Sequence, residues 1–424
     1  MVNIRDSNHR KNLFSYLYQR GLVAQYSHKQ IIERLFTRGE VVFYVGFDPT
    51  NDSLHVGNLL LIKVLMHLVH GGQRGIVLLG GGTASIGDPS GKTKQRKIMS
   101  YDKIEENTVR IKGQLQRILA RYNIEVEYYD NAQWLFPLRY IDFLRTIGKH
   151  FSVNRMLSFE TYKARMERGL SFIEFNYQLL QAYDYYYLYT TYGCNMQIGG
   201  DDQWGNMVAG MDLIRRLKAS DTSVLTTPLV LTASGEKMGK TDKGAIFLDR
   251  SKTPVFDFYQ YWRNIDDKDV KRFLLYYTDM PIIDIEQLTF RDGAALNIAK
   301  ELLAYQMTAL VHGEEEAKSI EGTVKGLFSQ NVVGLDIPGK KMPYHRIEQG
   351  INVVTLFTES SLCRSTSEAR RLIAGNGAYI NSRRMRSHEE MIHVQDIKDG
   401  KILLQAGKKR AFCFTIVKNS DISS

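Results

Sequence analysis

The chain has few cysteines and no long apolar run. Its 424 residues include only Cys194, Cys363 and Cys413, whose spacing suits no metal site and whose odd number leaves at least one outside any disulfide set. This usage is typical of a reducing compartment. No apolar stretch is long enough to span a membrane, and residues 1–20 contain no signal-peptide core. We therefore predict a cytoplasmic protein without a membrane partner.

The composition is otherwise that of an ordinary globular protein, with an excess of positive charge. Lysine and arginine number 56 against 46 acidic residues, a formal net charge of +10. Such a charge suits a polyanionic partner, although many basic proteins bind none. A chain of 424 residues is expected to form two or three domains.

Residues 41–80 predict one β-α-β unit of a parallel sheet. An apolar run over 41–47 stops at Asp48-Pro49, an apolar helix follows from Leu59, and residues 76–79 give a second strand. Ligands of such sheets bind at the carboxyl ends of the strands. The sequence His55-x-Gly-Asn58, just before the helix, places a ring N–H, an amide and backbone N–H groups at that edge, which predicts a phosphorylated ligand.

The glycine-rich loop over residues 80–93 is not expected to be a P-loop. It ends in Gly91-Lys92-Thr93, but a P-loop needs a glycine five positions before Gly91, and Ile86 stands there. The alternative is a tight turn at a strand end, with Lys92 and Arg96 simply solvated.

Further along, two segments carry polar residues in patterns that indicate function. In a tyrosine-rich helix over residues 171–192, Tyr177, Gln181 and Asp184 stand at i, i+4 and i+7 and so share one face. The loop Lys237-Met-Gly-Lys240-Thr241 follows a strand predicted over residues 226–231. Taken alone, its two lysines are compatible with ordinary surface charges.

Together, His55-x-Gly-Asn58 and Lys237-Met-Gly-Lys240-Thr241 on a β-α-β sheet resemble the HIGH and KMSKS motifs of class I aminoacyl-tRNA synthetases. In that family the first motif holds the triphosphate and the second is a mobile loop that grips the leaving pyrophosphate. Mobile cations of this kind can act mainly on the transition state.

Four further motifs are similar to the tyrosyl-tRNA synthetase family of the bacterial type. They are Tyr44-Val-Gly-Phe-Asp-Pro-Thr50, Gly87-Asp88-Pro, Tyr177-x-x-x-Gln181-x-x-Asp184 and Gln197-Ile-Gly-Gly-x-Asp202-Gln203-Trp-Gly-Asn. The resemblance covers essentially the whole chain. It implies an α/β fold with a Rossmann-like parallel-sheet catalytic domain, a helical domain and a small C-terminal α+β module like the S4 RNA-binding module.

The resemblance also implies the roles of individual side chains in two substrate sites. The tyrosine-binding residues would be Tyr44, Asp88, Tyr177, Gln181, Asp184 and Gln203. The ATP-binding residues would be Gly46, Asp48, Thr50, His55, Asn58, Gly200, Asp202 and Lys240. The residues that act on the transferring phosphate and pyrophosphate would be His55, Lys92, Arg96, Lys237, Lys240 and Thr241.

The chain departs from the family pattern at three positions. Val45 stands where many relatives carry a cysteine near the ribose, which removes one weak contact. Asn58 replaces the second histidine of the HIGH motif; an amide still donates a hydrogen bond but carries no charge. Asp201 stands where serine is usual, beside Asp202, and we expect it to make the ribose pocket more acidic.

Domain boundaries are expected at 1–250 for the catalytic domain, 251–335 for a helical tRNA-binding domain, 336–350 for a linker and 351–424 for the S4-like domain. The segment 361–381 carries the S4 resemblance, although a charged packing domain is the alternative.

Residues 148–154 resemble the family's subunit-interface insertion, which implies a homodimer. The candidate tRNA contacts are Arg215, Arg216, Arg370, Arg371, Lys408, Lys409 and Arg410, of which the first two could instead form a solvated helix face.

The implied reaction is the ligation of L-tyrosine to its cognate tRNA in two steps, through tyrosyl-adenylate. ATP is a substrate and is expected with Mg²⁺, for which the sequence offers no dedicated metal site. Two alternatives remain at this point: a tryptophanyl-tRNA synthetase, and a synthetase-like RNA-binding protein without catalysis. The Tyr44 and Asp184 pair argues against the first, and the intact His55, Lys237 and Lys240 argue against the second.

Overall fold

The computed structural model describes residues 13–90, 99–167, 169–233, 235, 238, 240–241, 244–290, 293–329, 338–381, 383–398, 400–407 and 410–417. The chain forms two compact units. The first comprises Met1–Lys252 and Asp266–Ala299, and the second comprises Thr253–Ile265 and Lys300–Ser424.

The first unit alternates strands and helices along the chain. Its strands are β1 (Val42–Phe47), β2 (Arg74–Leu79), β3 (Glu127–Asp130), β4 (Met196–Gly200), β5 (Ser223–Thr227), β6 (Lys240–Thr241) and β7 (Gly244–Ala245). Its helices up to the third strand are α1 (Leu13–Gln19), α2 (Lys29–Arg38), α3 (Leu59–His70) and α4 (Tyr101–Ala120). Those that follow are α5 (Ala132–Leu135), α6 (Tyr140–Thr146), α7 (Val153–Ser158), α8 (Glu160–Met166), α9 (Phe172–Tyr192) and α10 (Trp204–Lys218). Helix α11 (Val255–Arg263) belongs to the second unit. The chain then returns to the first unit with α12 (Asp267–Tyr277) and α13 (Ile282–Thr289).

The strands β1 to β5 form one parallel sheet in the order β3-β2-β1-β4-β5. The β1-α3-β2 unit predicted from residues 41–80 is confirmed, with Tyr44 opposite Ile76 and Gln197 on the flanking strands. After β3 the chain crosses to the other side of β1, so the strand order reverses between the neighbouring strands β1 and β4. Such a reversal opens a crevice at the carboxyl ends of the strands, where ligands of open α/β sheets bind.

The outer edge of β5 is covered by a short extended segment near the start of the described chain. Ala24 and Ser27 donate backbone hydrogen bonds to Thr226 and Val224, and Thr226 donates back to Gln25. This antiparallel pairing hides an edge that would otherwise invite another chain. The strand itself spans Ser223–Thr227, so the prediction of residues 226–231 was wrong. Pro228 explains the difference, because proline cannot donate to the ladder and ends the strand.

Helix α3 is buried along most of its length, as its apolar sequence predicts. It has 12 residues, and of its polar side chains Lys63 and His67 are also buried. Lys63 is compensated by an ion pair with Asp279, 2.7 Å away, since a buried ammonium group needs a charged partner. None of the helices that the structure describes is long and apolar enough to cross a membrane.

The second unit contains helices and a small mixed sheet. Besides α11 its helices are α15 (Glu314–Ser329), α16 (Tyr344–Glu348), α17 (Val353–Glu359) and α18 (Thr366–Ala374), and α14 (Ala294–His312) runs from the first unit into it. Its strands are β8 (Gly339–Pro343), β9 (Ile351–Asn352), β10 (Ala378–Ile380), β11 (Arg383–Arg384), β12 (Met391–Ile392), β13 (Lys401–Ala406) and β14 (Arg410–Val417). The predicted sequence of parallel-sheet domain, helical region and C-terminal α+β module is therefore confirmed.

Residues 338–350, placed in a linker by the sequence, form part of the C-terminal module. Strand β8 pairs in parallel with β14, from Gly339 opposite Cys413 to Pro343 opposite Val417. Met342 and Ile347 are buried in the same apolar core as Phe357 and Phe414. The proline and glycine residues that suggested a linker lie at the ends of β8 and before β9. The module therefore starts near residue 338 rather than 351.

Candidate functional site

The predicted substrate residues gather around one cavity at the β1–β4 crevice. The cavity has a volume of about 380 Å³ and lies in the first unit. The residues predicted to bind tyrosine or ATP that line it are Tyr44, Gly46, Asp48, Thr50, His55, Asn58, Asp88, Tyr177, Gln181, Asp184, Gly200, Asp202 and Gln203. The other residues predicted to act on the phosphates cannot be placed in the cavity lining. Lys92, Arg96 and Lys237, and the side chains of Lys240 and Thr241, lie outside the described part of the structure.

Asp184 is the most deeply buried carboxylate of the cavity, with 2% of its surface exposed. Its two oxygens each accept one hydrogen bond: Asn131 Nδ2 donates to Oδ2 at 2.9 Å and Trp134 Nε1 donates to Oδ1 at 2.7 Å. Burial raises the pKa of Asp184 to about 8, while the two hydrogen bonds act in the opposite direction. The carboxyl group is thus held in one orientation, and its protonation changes at a pH close to neutral.

Tyr44 presents an unpaired hydroxyl group to the same cavity. Its side chain is 2% exposed, and within the described residues its hydroxyl has no hydrogen-bond partner. Gln197, its register partner on β4, is 3% exposed and has an equally unpaired Oε1. Burial, followed by the nearby Asp184 charge, raises the pKa of Tyr44 well above its usual value, so the phenol stays a neutral donor. Unpaired buried polar atoms on a cavity wall indicate a polar ligand.

Asp48 and Tyr177 are joined directly across the cavity. Tyr177 Oη donates to Asp48 Oδ2 at 2.7 Å, and Thr83 Oγ1 donates to Asp48 Oδ1 at 2.8 Å. This arrangement needs a glycine at position 80, because a Cβ there would lie 2.0 Å from Asp48 Oδ1. The glycine-rich loop is therefore shaped by the carboxylate of Asp48, at the end of β1.

The backbone amides of that loop are already occupied. Gly81 N donates to Asp130 Oδ1 at 3.1 Å, and Gly82 N donates to Asn131 Oδ1 at 2.8 Å. The amides thus join β2 to the end of β3. Over residues 80–82 the structure supports the tight turn rather than a phosphate-binding loop.

A chain of amide side chains connects the remaining tyrosine-site residues. Gln203 Nε2 donates to Asp88 Oδ2 at 2.6 Å, and Asn206 Nδ2 donates to Gln181 Oε1 at 3.0 Å. Asn206 also reaches Gln203 Oε1 at 3.3 Å. The sequence analysis quoted Asn206 only as part of a motif. Its position one turn of helix after Gln203 was the available signal.

Helix α9, which carries Tyr177, Gln181 and Asp184, has a firmly fixed start. Ser171 and Glu174 form a capping box, in which each side chain binds the backbone N–H of the other residue. Arg165 Nη2 donates to both oxygens of Glu174, at 2.8 and 2.9 Å, in a buried ion pair. At its other end the helix stops at Gly193, in the left-handed conformation. The axial position of the three site residues is thereby set.

His55 is held in one tautomer by the turn that follows it. Gly57 N donates to His55 Nδ1 at 3.0 Å, so the ring proton of the neutral imidazole lies on Nε2. Asn58 Oδ1 accepts from the His55 backbone N–H at 3.0 Å. On its other side His55 forms a β-bridge with Phe247, just after the KMGKT loop. The two motifs, far apart in sequence, are therefore adjacent in space.

The expectation of open backbone N–H groups at this helix start was wrong. Val56 N donates to Ile246 O, Gly57 N to His55 Nδ1, Asn58 N to His55 O and Leu59 N to Val56 O. The fold uses these amides internally. Any anion at this point must be recognised by side chains.

The cavity carries negative charge within the described part of the chain. Its lining includes the carboxylates Asp48, Asp88, Asp184 and Asp202, and no lysine or arginine among the described residues lines it. Positive charge for a phosphate group must then come from the predicted cationic loops or from the substrate's own counter-ion.

Asp201 does not make the cavity more acidic, contrary to expectation. Its Oδ1 accepts from Gln25 Nε2 and from Thr226 Oγ1, both at 2.8 Å, and Asp201 is absent from the cavity lining. Its carboxylate links Gln25, in the extended segment over residues 24–27, to Thr226 of β5. The residue replaces serine at a structural position, one residue away from Asp202.

The two predicted tRNA contacts of the first unit make contacts within the protein. Arg215 Nη2 donates to Asp212 Oδ1 at 3.0 Å, and Arg216 Nη1 donates to the carbonyl oxygen of His150. Arg216 thereby attaches α10 to the segment predicted as a subunit interface. These contacts favour a structural role over a tRNA contact.

In the C-terminal module the predicted cations differ in their surroundings. Arg370 and Arg371 are exposed on α18, whose buried side is formed by Ala369 and Ile373. Arg410 Nη1 donates to the Leu362 carbonyl oxygen at 2.7 Å, which anchors the start of β14. Lys408 and Lys409 lie outside the described residues.

Comparison with known proteins agrees with this architecture. The family model of "tRNA synthetases class I (W and Y)" matches residues 37–329, and that of the "Tyrosine--tRNA ligase SYY-like C-terminal domain" matches residues 336–414. A tyrosine–tRNA ligase of Treponema denticola is 47% identical over 93% of this chain and 97% of the relative. One of Acetivibrio thermocellus is 44% identical over 94% and 98%.

Solved structures of tyrosyl-tRNA synthetases are also similar to this chain. A C-terminally truncated mitochondrial tyrosyl-tRNA synthetase from Aspergillus nidulans is 29% identical, with a TM-score of 0.66 over 77% of this chain and 96% of that chain. The corresponding enzyme from Coccidioides posadasii is 28% identical, with a TM-score of 0.65 over 74% and 92%.

The fold and the cavity are those of a class I tRNA synthetase. Within that class the chain belongs to the tyrosine–tRNA ligase family. The prediction of an aminoacyl-tRNA synthetase that uses ATP to ligate tyrosine to tRNA is confirmed. These relatives support neither the tryptophanyl enzyme nor a non-enzymatic RNA-binding protein.

The contact between Gly57 and His55 gives a test of the His55 geometry. In Gly57→Ala the new Cβ would lie 2.8 Å from His55 Cε1 and 2.9 Å from Nδ1, so the ring must move. If His55 acts on the transferring phosphate, its displacement lowers the rate more than substrate binding, and we expect the tyrosine-dependent exchange of pyrophosphate into ATP to fall by about tenfold or more. The dissociation constant for tyrosine, measured by equilibrium dialysis, should change little.

Gly322→Ala is the matched control. A Cβ at Gly322, on α15, meets no atom within 4 Å, so that variant should exchange pyrophosphate at the unmodified rate. If Gly57→Ala kept the unmodified rate as well, the fixed His55 ring would be irrelevant to the reaction.

Proposed function

We propose that the cavity binds L-tyrosine with its phenol between Tyr44 and Asp184 and binds ATP along the His55 side, and that it forms tyrosyl-adenylate. The observation that carries this proposal is the pairing of a buried, twice hydrogen-bonded carboxylate with a buried, unpaired hydroxyl on the same cavity wall, among the residues that the structure describes. A phenol has one donor and one acceptor, so it can donate to Asp184 and accept from Tyr44.

The α-amino group of tyrosine would be held by Asp88, Tyr177 and Gln181. Asp88 and the Tyr177–Asp48 pair bring two carboxylates to this part of the cavity, which suits an ammonium group. Gln203, whose amide nitrogen donates to Asp88, would lie by the substrate carboxylate. The network thus orients the group that has to react.

ATP would lie along the residues from β1 to the start of α3 and along the end of β4. Gly46, Thr50, His55 and Asn58 would follow the base and the phosphates, and Gly200 and Asp202 would meet the ribose. The supporting observation is that all of these line one continuous cavity. A carboxylate such as Asp202 can accept hydrogen bonds from ribose hydroxyls.

In the activation step a carboxylate oxygen of tyrosine attacks the α-phosphorus of ATP. A P–O bond forms to the carboxylate, and the bond from the α-phosphorus to the bridging oxygen breaks, which releases pyrophosphate. No side chain serves as a nucleophile. The rate then depends on alignment and on stabilising charge at the leaving oxygens, for which we propose His55, Lys92, Arg96, Lys237, Lys240 and Thr241.

Mg²⁺ would arrive with the triphosphate. The described residues contain no cluster of three or more His, Cys, Asp or Glu side chains that could hold a metal ion. Mg²⁺ commonly binds substrate phosphates and keeps several water ligands, so it needs few protein groups. In the bound complex it would neutralise charge on the phosphates.

In the second step the tyrosyl group passes from the adenylate to the terminal ribose of the tRNA. We propose that the C-terminal module anchors this tRNA. Support comes from the exposed Arg370 and Arg371 on α18 and from the likeness of residues 336–414 to a tyrosine–tRNA ligase C-terminal domain. Because charged tRNA is consumed in translation, the proposed location is the cytoplasm.

We propose a homodimer from the exposed apolar side chains that are frequent over residues 136–172. Phe136, Tyr140, Ile141, Val153 and Phe172 are each more than half exposed. Such a concentration of exposed apolar side chains is typical of an interface. We expect light scattering to give twice the mass of one chain, and Ile141→Glu with Val153→Glu to reduce it to one. An unchanged dimer would place the interface elsewhere.

The raised pKa of Asp184 makes tyrosine binding depend on pH. If the ionised carboxylate accepts from the phenol, the dissociation constant for tyrosine should fall about tenfold per pH unit as the pH rises toward about 8, and then level off. Asp184→Asn should weaken tyrosine binding by about tenfold or more and abolish this slope. The measurement is fluorescence titration with tyrosine between pH 6 and 9.

Asp142→Asn is the matched control, since Asp142 forms an exposed ion pair with Arg139 and does not line the cavity. It should keep the unmodified pH profile. Tyrosine binding that weakens as the pH rises toward 8 would mean that protonated Asp184 donates to the phenol, and our assignment of donor and acceptor would be reversed.

Removal of the C-terminal module should separate activation from charging. The cut belongs after Ser329, at the end of α15, because β8 pairs with β14 and belongs to the module. The truncated protein should exchange pyrophosphate nearly as well as the whole chain but should lose most tRNA charging. In the whole chain, Arg370→Glu with Arg371→Glu should flatten the fall of tRNA affinity with rising salt. Full charging by the truncated protein would contradict the anchor role.

A further inference from the structure

The segment that leads into the KMGKT loop is folded back on itself. Met238 N donates to Val230 O at 2.8 Å, and Gly235 N donates to Thr232 O at 2.8 Å. Met238 is buried, with 4% of its surface exposed. We call residues 230–233 the loop stem.

Two charged residues at the start of α12 bind this loop stem. Asp269 Oδ2 accepts from the backbone N–H of Ala233 at 2.8 Å, and Arg272 Nη2 donates to the carbonyl oxygen of Leu231 at 2.6 Å. Arg272 and Asp269 also form an ion pair with each other, one turn apart. Asp269 is buried, and its carboxylate accepts hydrogen bonds from Arg272 and from Ala233. Hydrogen bonds that involve charged groups are the stronger kind.

The far end of α12 is fastened to the helix that follows His55. Tyr277 donates to the sulfur atom of Met238 at 3.3 Å. Arg20 donates to the carbonyl oxygens of Leu275 and Met280 at 2.8 and 2.9 Å, and Asp279 pairs with Lys63 of α3. Helix α12 thus contacts the loop stem through Asp269 and Arg272 and contacts Met238 through Tyr277, while Asp279, just after the helix, bonds to α3.

We propose that Asp269 and Arg272 are positioning residues for the KMGKT loop, which hold its stem so that Lys237 and Lys240 meet the leaving pyrophosphate. This inference rests on the proposed role of those lysines in activation. Neither Asp269 nor Arg272 lines the cavity, so their effect must pass through the loop stem. Nothing in the sequence pattern marks them, since both are typical of the charges on an amphipathic helix.

The test compares Asp269→Ala with Lys271→Ala in the full chain. Lys271 lies on the same helix and forms an exposed ion pair with Glu286, so its loss is the matched control. Asp269→Ala should lower the maximal rate of tyrosine-dependent pyrophosphate exchange by about tenfold or more and raise the KM for ATP. The dissociation constant for tyrosine should stay unchanged. Trypsin should cleave between residues 236 and 244 faster than in the control, as mapped by mass spectrometry.

Arg272→Lys keeps the proposal testable if Asp269→Ala unfolds. Arg272 Nη2 donates to both Leu231 and Asp269, and the shorter lysine side chain cannot bring its ammonium group to the same place, whereas the charge is retained. We expect a smaller change in the same direction, with an unchanged melting temperature. Rates and cleavage equal to those of Lys271→Ala in both folded variants would overturn the inference.

Lys240→Ala separates this inference from the function on which it depends. If Lys240→Ala slows exchange while the Asp269 and Arg272 variants do not, only the positioning role fails. If Lys240→Ala leaves exchange unchanged, the proposed role of the loop in activation fails, and the positioning role fails with it.

Discussion

The cavity wall depends on keeping one carboxylate, that of Asp184, buried and oriented near Tyr44. Burying an ionised carboxylate is unfavourable unless hydrogen bonds replace its water. Asn131 and Trp134 supply two, and Asn131 is itself held by Gly82 N and by Thr83 Oγ1. The requirement therefore spreads outward from α9 to the end of β3 and to the glycine-rich loop. A residual imbalance remains, and it is visible as a pKa raised to about 8.

The charges of the cavity wall match some groups of the proposed substrates and not others. The cavity wall is rich in carboxylates, which suit the ammonium and hydroxyl groups of tyrosine and ribose but oppose a triphosphate. The side chains of the candidate cations, at residues 92–96 and 237–240, lie outside the described part of the structure. A cation raises the rate of a reaction only where it binds the transition state more strongly than the ground state.

Local patterns predicted the framework of the fold and most of the site, because both follow from periodicity and strand ends. The β1-α3-β2 unit came from its apolar runs, and Tyr177, Gln181 and Asp184 from helical spacing. Family resemblance, rather than spacing, supplied the individual roles. The predictions that failed depended on contacts between residues that are far apart in sequence. Asp201 was misassigned because its partners, Gln25 and Thr226, lie on other elements. Gln197 was given no role because only the register of β4 beside β1 places it next to Tyr44. The linker was misplaced because β8 is defined by pairing with β14, more than 70 residues later.

In the two glycine-containing motifs near the cavity, the backbone amides of residues 81–82 and 56–59 are bonded within the protein. In many nucleotide sites the amides of a glycine-rich turn or a helix start face the anion. In this chain Gly81 and Gly82 donate to Asp130 and Asn131, and the amides over residues 56–59 are bonded within the turn and to Ile246. The glycines serve close packing instead: Gly80 makes room for the Asp48 carboxylate and Gly57 for the His55 ring. On the function that we propose, the triphosphate would be recognised by side chains such as His55 and Asn58, and the placement of the loop stem by α12 would contribute to the chemistry.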